Sequence, residues 1–475
     1  MRSLAWLSVI GALSLAAAAA PPAARPEPLP TPLRRLLAAP GLARQDVGVH
    51  AVYLDTGETY AAANPDRPLV LASTVKLFTT ACALERLGPA LRLGTLFLAD
   101  AAPDAAGVLH GSLYVRGSGN PLLKGEDLWA ALRELAALGV RRIQGDLVVD
   151  DGLFEPPGRP ASWPERAVSH PYNAPQGALA IAWDSVEVVV LPGARPGAPA
   201  RVTTSPLREV APVVNRATTG GKTAVSVSLA DAAAGRGTIV VSGTIAPGDP
   251  PFTTWIHLGQ PTEVALGALA ELLPQAGIAL GGRARAGRAP QGARVLLEHE
   301  SPPLDRLVYE INKNSSNFGA EMLLRGLAAQ DGEVPATTAA GLRRVAACLA
   351  GWKIAPSAVA LVDGSGFGRQ NRATPRALVQ LLAEAARRPE WGPELMVSLP
   401  RAGEDGSLRR RLRELRGRLR AKTGTLNGVA ALAGYGTTPS GRTLAFAIVV
   451  NQARGGGVSY HAVDRIARAI LVGAP

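Results

Sequence analysis

The chain is predicted to be an α/β protein of the α+β kind, in which strands from its two ends share one antiparallel sheet with helices packed against it. Three observations predict this. Near the N-terminus, Val47–Leu54 alternates like a strand, Asp55-Thr-Gly57 makes a turn, and Glu58–Ala63 can pair back as a hairpin. Near the C-terminus, Arg418–Gly424, Gly428–Tyr435 and Arg442–Asn451 read as three more strands, the last two joined at Pro439-Ser-Gly441. Between these ends, helical texture flanks a long stretch of short β-like runs, as if a β-rich insertion left and re-entered a single domain.

Taken in order, Pro32–Ala39 reads as a short helix ahead of the hairpin, and the segment from Pro68 to Ser73 leads into a helix that Gly88-Pro89 ends at Leu87. From residue 94 to about 295, the runs Thr95–Leu98, Gly111–Val115, Asp146–Asp150, Val186–Leu191, Ala224–Leu229 and Gly237–Val241 are separated by Gly, Pro and Asp. Two amphipathic helices, Asp127–Leu138 and Thr262–Ala276, interrupt them, so the insertion reads as two small units. Helices return at Pro303–Ile311, Phe318–Ala329 and Thr337–Leu349, and His461–Leu471 closes the chain. The Gly-rich loop Asp363–Gly368 lacks the strand and helix spacing of a phosphate site and reads as a tight turn. The resulting organisation is residues 25–93 with 296–475 as one domain and 94–295 as the insertion.

The first residues set the compartment. Met1-Arg2-Ser3, an apolar run from Leu4 to Ala20 and a proline-rich spacer describe a secretory signal peptide over residues 1–24, so the chain is expected to be exported and periplasmic or extracytoplasmic. An uncleaved anchor is the rival reading of a run at the short edge of a spanning helix. With 47% hydrophobic residues in a chain of 475, intrinsic disorder is excluded. The formal charge of +12 suits an anionic envelope polymer, with membrane contact at most peripheral. The arginine run from Arg409 to Arg420 has no interleaved aromatics, which argues against nucleic acid. No Cys/His spacing suggests a metal site, and Cys82 and Cys348 read as two buried small side chains rather than a disulfide.

Chemistry concentrates in three places. Ser73 and Lys76 stand three apart at a helix start, on one face. A serine hydroxyl needs a base, and a lysine serves only if burial and neighbouring positive charge keep it neutral. Only six of the 50 basic residues are lysines, and arginine cannot lose its proton, so lysines at 76 and 422 read as places that need a titratable amine, a codon bias toward arginine with a few chance survivors being the rival reading. Ser315 and Asn317 follow in a loop or cap: the hydroxyl can relay a proton to a leaving amine and the amide can hold Lys76 or a substrate carbonyl. Ordinary N-capping is the competing reading of both. Third, Lys422 repels a proton from Lys76 and attracts an anionic terminus, the Thr423 and Thr425 hydroxyls can bind that carboxylate, and Gly424 lets a substrate backbone approach. The backbone N–H groups of Ser73 and Thr425 form the natural oxyanion-hole pair. Ser118-Gly119-Asn120 and Lys222-Thr223-Ala224 are decoys, the first in a strand-turn setting and the second without the glycine.

In the order Ser-x-x-Lys, Ser-x-Asn, Lys-Thr-Gly, these motifs make the chain resemble the active-site serine penicillin-binding proteins and β-lactamases. Within them it resembles the D-alanyl-D-alanine carboxypeptidase/endopeptidases of the penicillin-binding protein 4 type. The 239 residues from Lys76 to Ser315 look like that type's large insertion. Trp163-Pro164, Tyr172-Asn-Ala-Pro175, Asn312-Lys313, Asp363-Gly-Ser-Gly366, Leu399–Gly406 and Ala421–Leu426 are similar to the family too. It departs at Asn120 and Ser316, where the family often has Asp. The resemblance implies a β-lactamase/transpeptidase-like fold, acyl transfer on peptidoglycan stem peptides through Ser73, β-lactams as covalent inhibitors, and no cofactor. A β-lactamase or esterase on the same scaffold, and a non-catalytic wall-binding protein, are the competing functions.

Overall fold

The structure is a computed structural model that describes residues 28–156, 158–163, 170–205, 211–231, 237–453 and 459–472. The signal peptide expected over residues 1–24 lies outside the described residues.

A five-stranded antiparallel sheet organises the molecule. In spatial order it consists of Thr59–Ala63, Asp46–Tyr53, Thr443–Asn451, Val429–Thr437 and Leu419–Leu426. The first hairpin thus pairs with the last strand, in a register that sets His50 opposite Ala447. Alternation along the strands sorts side chains between two cores. Val49, Ala51, Leu432, Phe446 and Ile448 face a cluster closed by the helices Thr31–Leu37 and Tyr460–Leu471. The residues between them, including Val52, Ala431, Ala433, Ala445 and Ala447, face the helices Lys76–Leu87, Leu304–Asn314 and Pro375–Ala386. The alanines on that face leave room for helices to lie close to the sheet.

Residues 94 to 300 begin and end as neighbours: Gly94–Ala99 pairs antiparallel with Arg294–Glu300. The intervening runs build separate small sheets, and the helices Gly125–Ala137 and Pro261–Gln275 share one buried core with them. The helices Pro375–Ala386 and Gly392–Ser398 were not read from the sequence, although Thr374 caps the first by accepting from Ala377 N.

The cysteine reading requires correction. Cys82 and Cys348 are buried as expected, yet they are disulfide-bonded, with Cα atoms 5.8 Å apart. The helices Lys76–Leu87 and Thr338–Gly351 pack in one core, which brings together residues 266 apart in sequence. That proximity is a tertiary fact without a local signature.

Candidate active site

Ser73 does not open the α-helix itself. It lies on a 3-10 turn, Ala72–Val75, that feeds the helix Lys76–Leu87. Ala72 takes a left-handed φ of 48°. Two neighbours hold this turn. Gly424, in the edge strand Leu419–Leu426, lies so close that a Cβ there would sit 2.6 Å from the Leu71 carbonyl oxygen. A side chain at Gly366 would overlap the Ala72 carbonyl on the other flank. Gly424 thus makes a close approach to the protein's own turn.

Ser73 is partly exposed whereas Lys76 is fully buried. Lys76 Nζ stands 2.9 Å from Ser73 Oγ, 2.8 Å from Asn317 Oδ1 and 2.6 Å from the Ser365 carbonyl oxygen. The Asn317 amide is oriented by its own Nδ2, which donates to the Tyr172 carbonyl at 3.3 Å. Burial lowers the Lys76 pKa to about 7, against the opposing pull of Glu321 and Asp363. Desolvation, not the second ammonium, is the principal cause, which revises the role expected of Lys422.

Ser315 joins the helices Leu304–Asn314 and Asn317–Gln330 in a left-handed conformation, φ 55° and ψ 40°. The capping role falls to Ser316, whose hydroxyl accepts from Gly319 N at 3.0 Å. Ser315 and Asn317 are thereby free to face the site. Lys422, fully buried, donates to Ser315 Oγ at 2.8 Å and to the Thr423 carbonyl at 3.0 Å. Burial, and then Lys76, push its pKa well below that of an ordinary lysine. Thr423 Oγ1 shares a 2.6 Å hydrogen bond with Ser407 Oγ, and Thr425 is exposed on the same edge strand. The structure therefore brings Ser73, Lys76, Ser315, Asn317 and Lys422 together, with Thr423, Gly424 and Thr425 alongside. The decoy Thr223 instead donates to Asp249 at 2.6 Å, just before the strand Ala224–Ala230 of another sheet.

Several supports had no reading as site residues. The loop Asp363–Gly368, expected to be a simple turn, carries the Ser365 carbonyl that Lys76 contacts. It is tied down from two sides: buried Glu321 accepts from Gly364 N and Ser365 N, and Asp363 accepts from Gly366 N and Gly368 N. Burial, with Asp363 nearby, raises the Glu321 pKa to about 7. Thr79 Oγ1 also donates to the Gly364 carbonyl at 2.8 Å. Lys313, the lysine nearest Ser315 in sequence, is structural: its Nζ lies 2.9 Å from both Asp405 carboxylate oxygens and 2.7 Å from the Leu399 carbonyl. Trp163, Phe367 and Tyr172 make edge-to-face contacts beside the loop.

A buried amine touching a half-exposed serine, on an antiparallel sheet flanked by helices, defines a serine hydrolase that works by acyl transfer. The chain belongs to the D-Ala-D-Ala carboxypeptidase 3 (S13) family, whose model matches residues 29–470. It is 36% identical, over 88% of its length and 79% of the relative's, to a D-alanyl-D-alanine carboxypeptidase of Actinomadura sp. (strain R39). Its structure is similar to penicillin binding protein 4 (dacB) from Haemophilus influenzae, with a TM-score of 0.78 and 26% identity over 90% of this chain and 96% of that one. The same Haemophilus protein complexed with a novel β-lactam matches with a TM-score of 0.72 and 25% identity, covering 90% of this chain and 95% of that one. The fold is accordingly that of the penicillin-binding protein 4 type, and the chain is a serine-type D-Ala-D-Ala carboxypeptidase.

Proposed function

We propose that Ser73 is the nucleophile that attacks the carbonyl joining the two terminal D-alanines of a peptidoglycan stem peptide. The observation that carries this reading is the set of three oxygens around Lys76 Nζ. Asn317 Oδ1 and the Ser365 carbonyl can only accept, so a neutral amine gives both its N–H bonds to them and turns its lone pair to the Ser73 hydroxyl. Lys76 then takes the hydroxyl proton as the Oγ–C bond forms. The oxyanion is held by the N–H groups of Ser73 and Thr425, such a donor being worth roughly 3 kcal/mol. As the C–N bond breaks, the proton passes through Ser315, bonded to Lys422, to the departing D-alanine amine, and water later releases the acyl group. Lys422, Thr423 and Thr425 bind the substrate carboxylate, and Gly424 keeps the edge strand close to the Ser73 turn.

The same steps act on the cross-link between D-alanine and a neighbouring stem, an endopeptidase activity, and penicillins acylate Ser73 as substrate mimics. No helix among the described residues is long and apolar enough to cross a membrane. The basic, apolar and small-residue start of the chain supports export by a cleaved signal peptide to the periplasm or its equivalent. Residues 94–295 form an insertion in the domain made by 25–93 and 296–475.

Digestion of defined cross-linked and uncrosslinked muropeptides tests the activity, and labelling with a fluorescent penicillin tests the residue. Ser73→Ala should abolish both while the thermal unfolding temperature holds; covalent labelling that persists in this variant would remove Ser73 from its role.

A further inference from the structure

A groove leaves the active site on the side of Ser315. Its inner part, about 320 Å³, lies between Ile311, Ser315 and Asn317 on one wall and Leu122, Tyr172 and Trp183 on the other. A second cavity, of about 620 Å³, carries it outward to Lys124, Glu300 and Arg306. The two meet at Leu122, Trp183, Glu310 and Asn314, which border both. The first wall is the helix Leu304–Asn314 with the turn at Ser315; the second, along the inner part, comes from residues 121–183 of the β-rich insertion.

Trp183 is set on this groove by an unusual backbone. Ala182, Trp183 and Asp184 all take left-handed φ angles, 48°, 59° and 50°. Such a run is unfavourable for residues with side chains and persists only where its surroundings impose it. Here Ala182 N donates to the Leu123 carbonyl at 2.8 Å, Leu258 N donates to the Asp184 carbonyl at 3.0 Å, and the Trp183 ring meets Trp255 edge-to-face at 5.8 Å. The first of these bonds ties Trp183 to the segment that carries Leu122. Both side chains stay partly exposed instead of closing into the core.

The charges along the groove answer one another. Glu310 accepts from Asn314 at 2.8 Å and meets Arg306 at 2.6 Å, and Arg92 stands 3.6 Å from Glu300. An occupant is therefore held by apolar contact with Leu122 and Trp183 and by hydrogen bonds to exposed Asn314, with little selection by charge. Its identity follows from where the groove starts. Ser315 hands the proton to the departing amine, so the rest of the departing group lies beside Ser315. A free D-alanine ends there. A neighbouring stem peptide, the departing group of a cross-link, runs on as a chain of amides and aliphatic side chains and needs such a channel.

We propose, resting on the acyl-transfer reading above, that this groove is the subsite for the departing stem of cross-linked peptidoglycan, and that Trp183 and Leu122 favour cleavage of cross-links over release of single D-alanine.

The test compares kcat/KM of the full chain for a defined cross-linked muropeptide dimer with kcat/KM for D-alanine release from the uncrosslinked stem. Trp183→Ala removes one wall, and Asn314→Trp fills the groove from an exposed position, so that it should fold even where the first variant does not. Each should lower the value for the dimer about tenfold or more, while D-alanine release and penicillin acylation stay within about twofold of wild type. Equal losses on both substrates, or no loss on the dimer in Asn314→Trp, would overturn the proposal. A wild-type enzyme that releases D-alanine but leaves the dimer intact would overturn it too, with Ser73 keeping its role. An enzyme that does neither and forms no penicillin adduct would bring down the acyl-transfer reading and this proposal with it.

Discussion

The rate at which a penicillin acylates this enzyme should follow the loss of one proton with a midpoint near pH 7. Burial brings Lys76 from 10.5 to about 7. At neutral pH roughly half of the molecules then hold a free amine, against about one in 3,000 for an unperturbed lysine, a difference equivalent to about 5 kcal/mol. The sign is set by the base role: below the midpoint the ammonium has no lone pair, so the acylation rate should rise about tenfold per pH unit up to near pH 6.5 and level off above about 7.5. Stopped-flow acylation with benzylpenicillin from pH 5 to 9, with the adduct on Ser73 followed by intact mass, measures the curve. Lys76→Arg places a permanent cation at the same position and should lower the plateau by about 10²–10⁴-fold. A rate that is flat from pH 5 to 9, or that keeps rising to a midpoint above 9, would mean that burial does not hold the amine neutral. An arginine variant with wild-type rates would remove Lys76 as the base.

Other substitutions probe the neighbours. Lys422→Ala removes the partner of Ser315 and should lower kcat/KM for a stem peptide with a free carboxylate at least about tenfold; an equal loss for the amidated peptide would contradict carboxylate recognition. Gly424→Ala forces a methyl group to 2.6 Å from the Leu71 carbonyl and should cost about 1–3 kcal/mol while slowing acylation; an unchanged unfolding temperature and rate would show that the strand and turn do not need this contact. Cys82→Ser with Cys348→Ser opens a link spanning 266 residues and should lower stability by about 2–5 kcal/mol, read by chemical denaturation. A smaller change than 1 kcal/mol would show that packing alone holds the two helices together.

Much of this site was legible because its reactive side chains announce themselves by type and spacing. Ser73 and Lys76 lie one helical step apart, and Lys422 stands out in a chain that otherwise prefers arginine. The sheet was legible because its long strands are apolar runs bounded by turn residues, although burial on both faces leaves little alternation in them. What stayed hidden depends on packing. A carbonyl such as that of Ser365 belongs to every residue and carries no signature. Glu321 reads as an ordinary helix residue until Gly364 and Ser365 are folded over it. Capping statistics favour Ser at helix starts but cannot choose between Ser315 and Ser316; the left-handed turn at Ser315 decides it. The partner of Gly424 was likewise a matter of which backbone arrives beside it.

The order of the sheet also dictates when the enzyme becomes reactive. Residues 46–53 can enter the sheet fully only when residues 443–451 arrive, and residues 419–426 depend for their one strand partner on residues 429–437 in between. A ribosome has therefore released nearly the entire polypeptide before Lys422 can settle opposite Ser315. Until then the hydroxyl of residue 73 is as inert as any other serine.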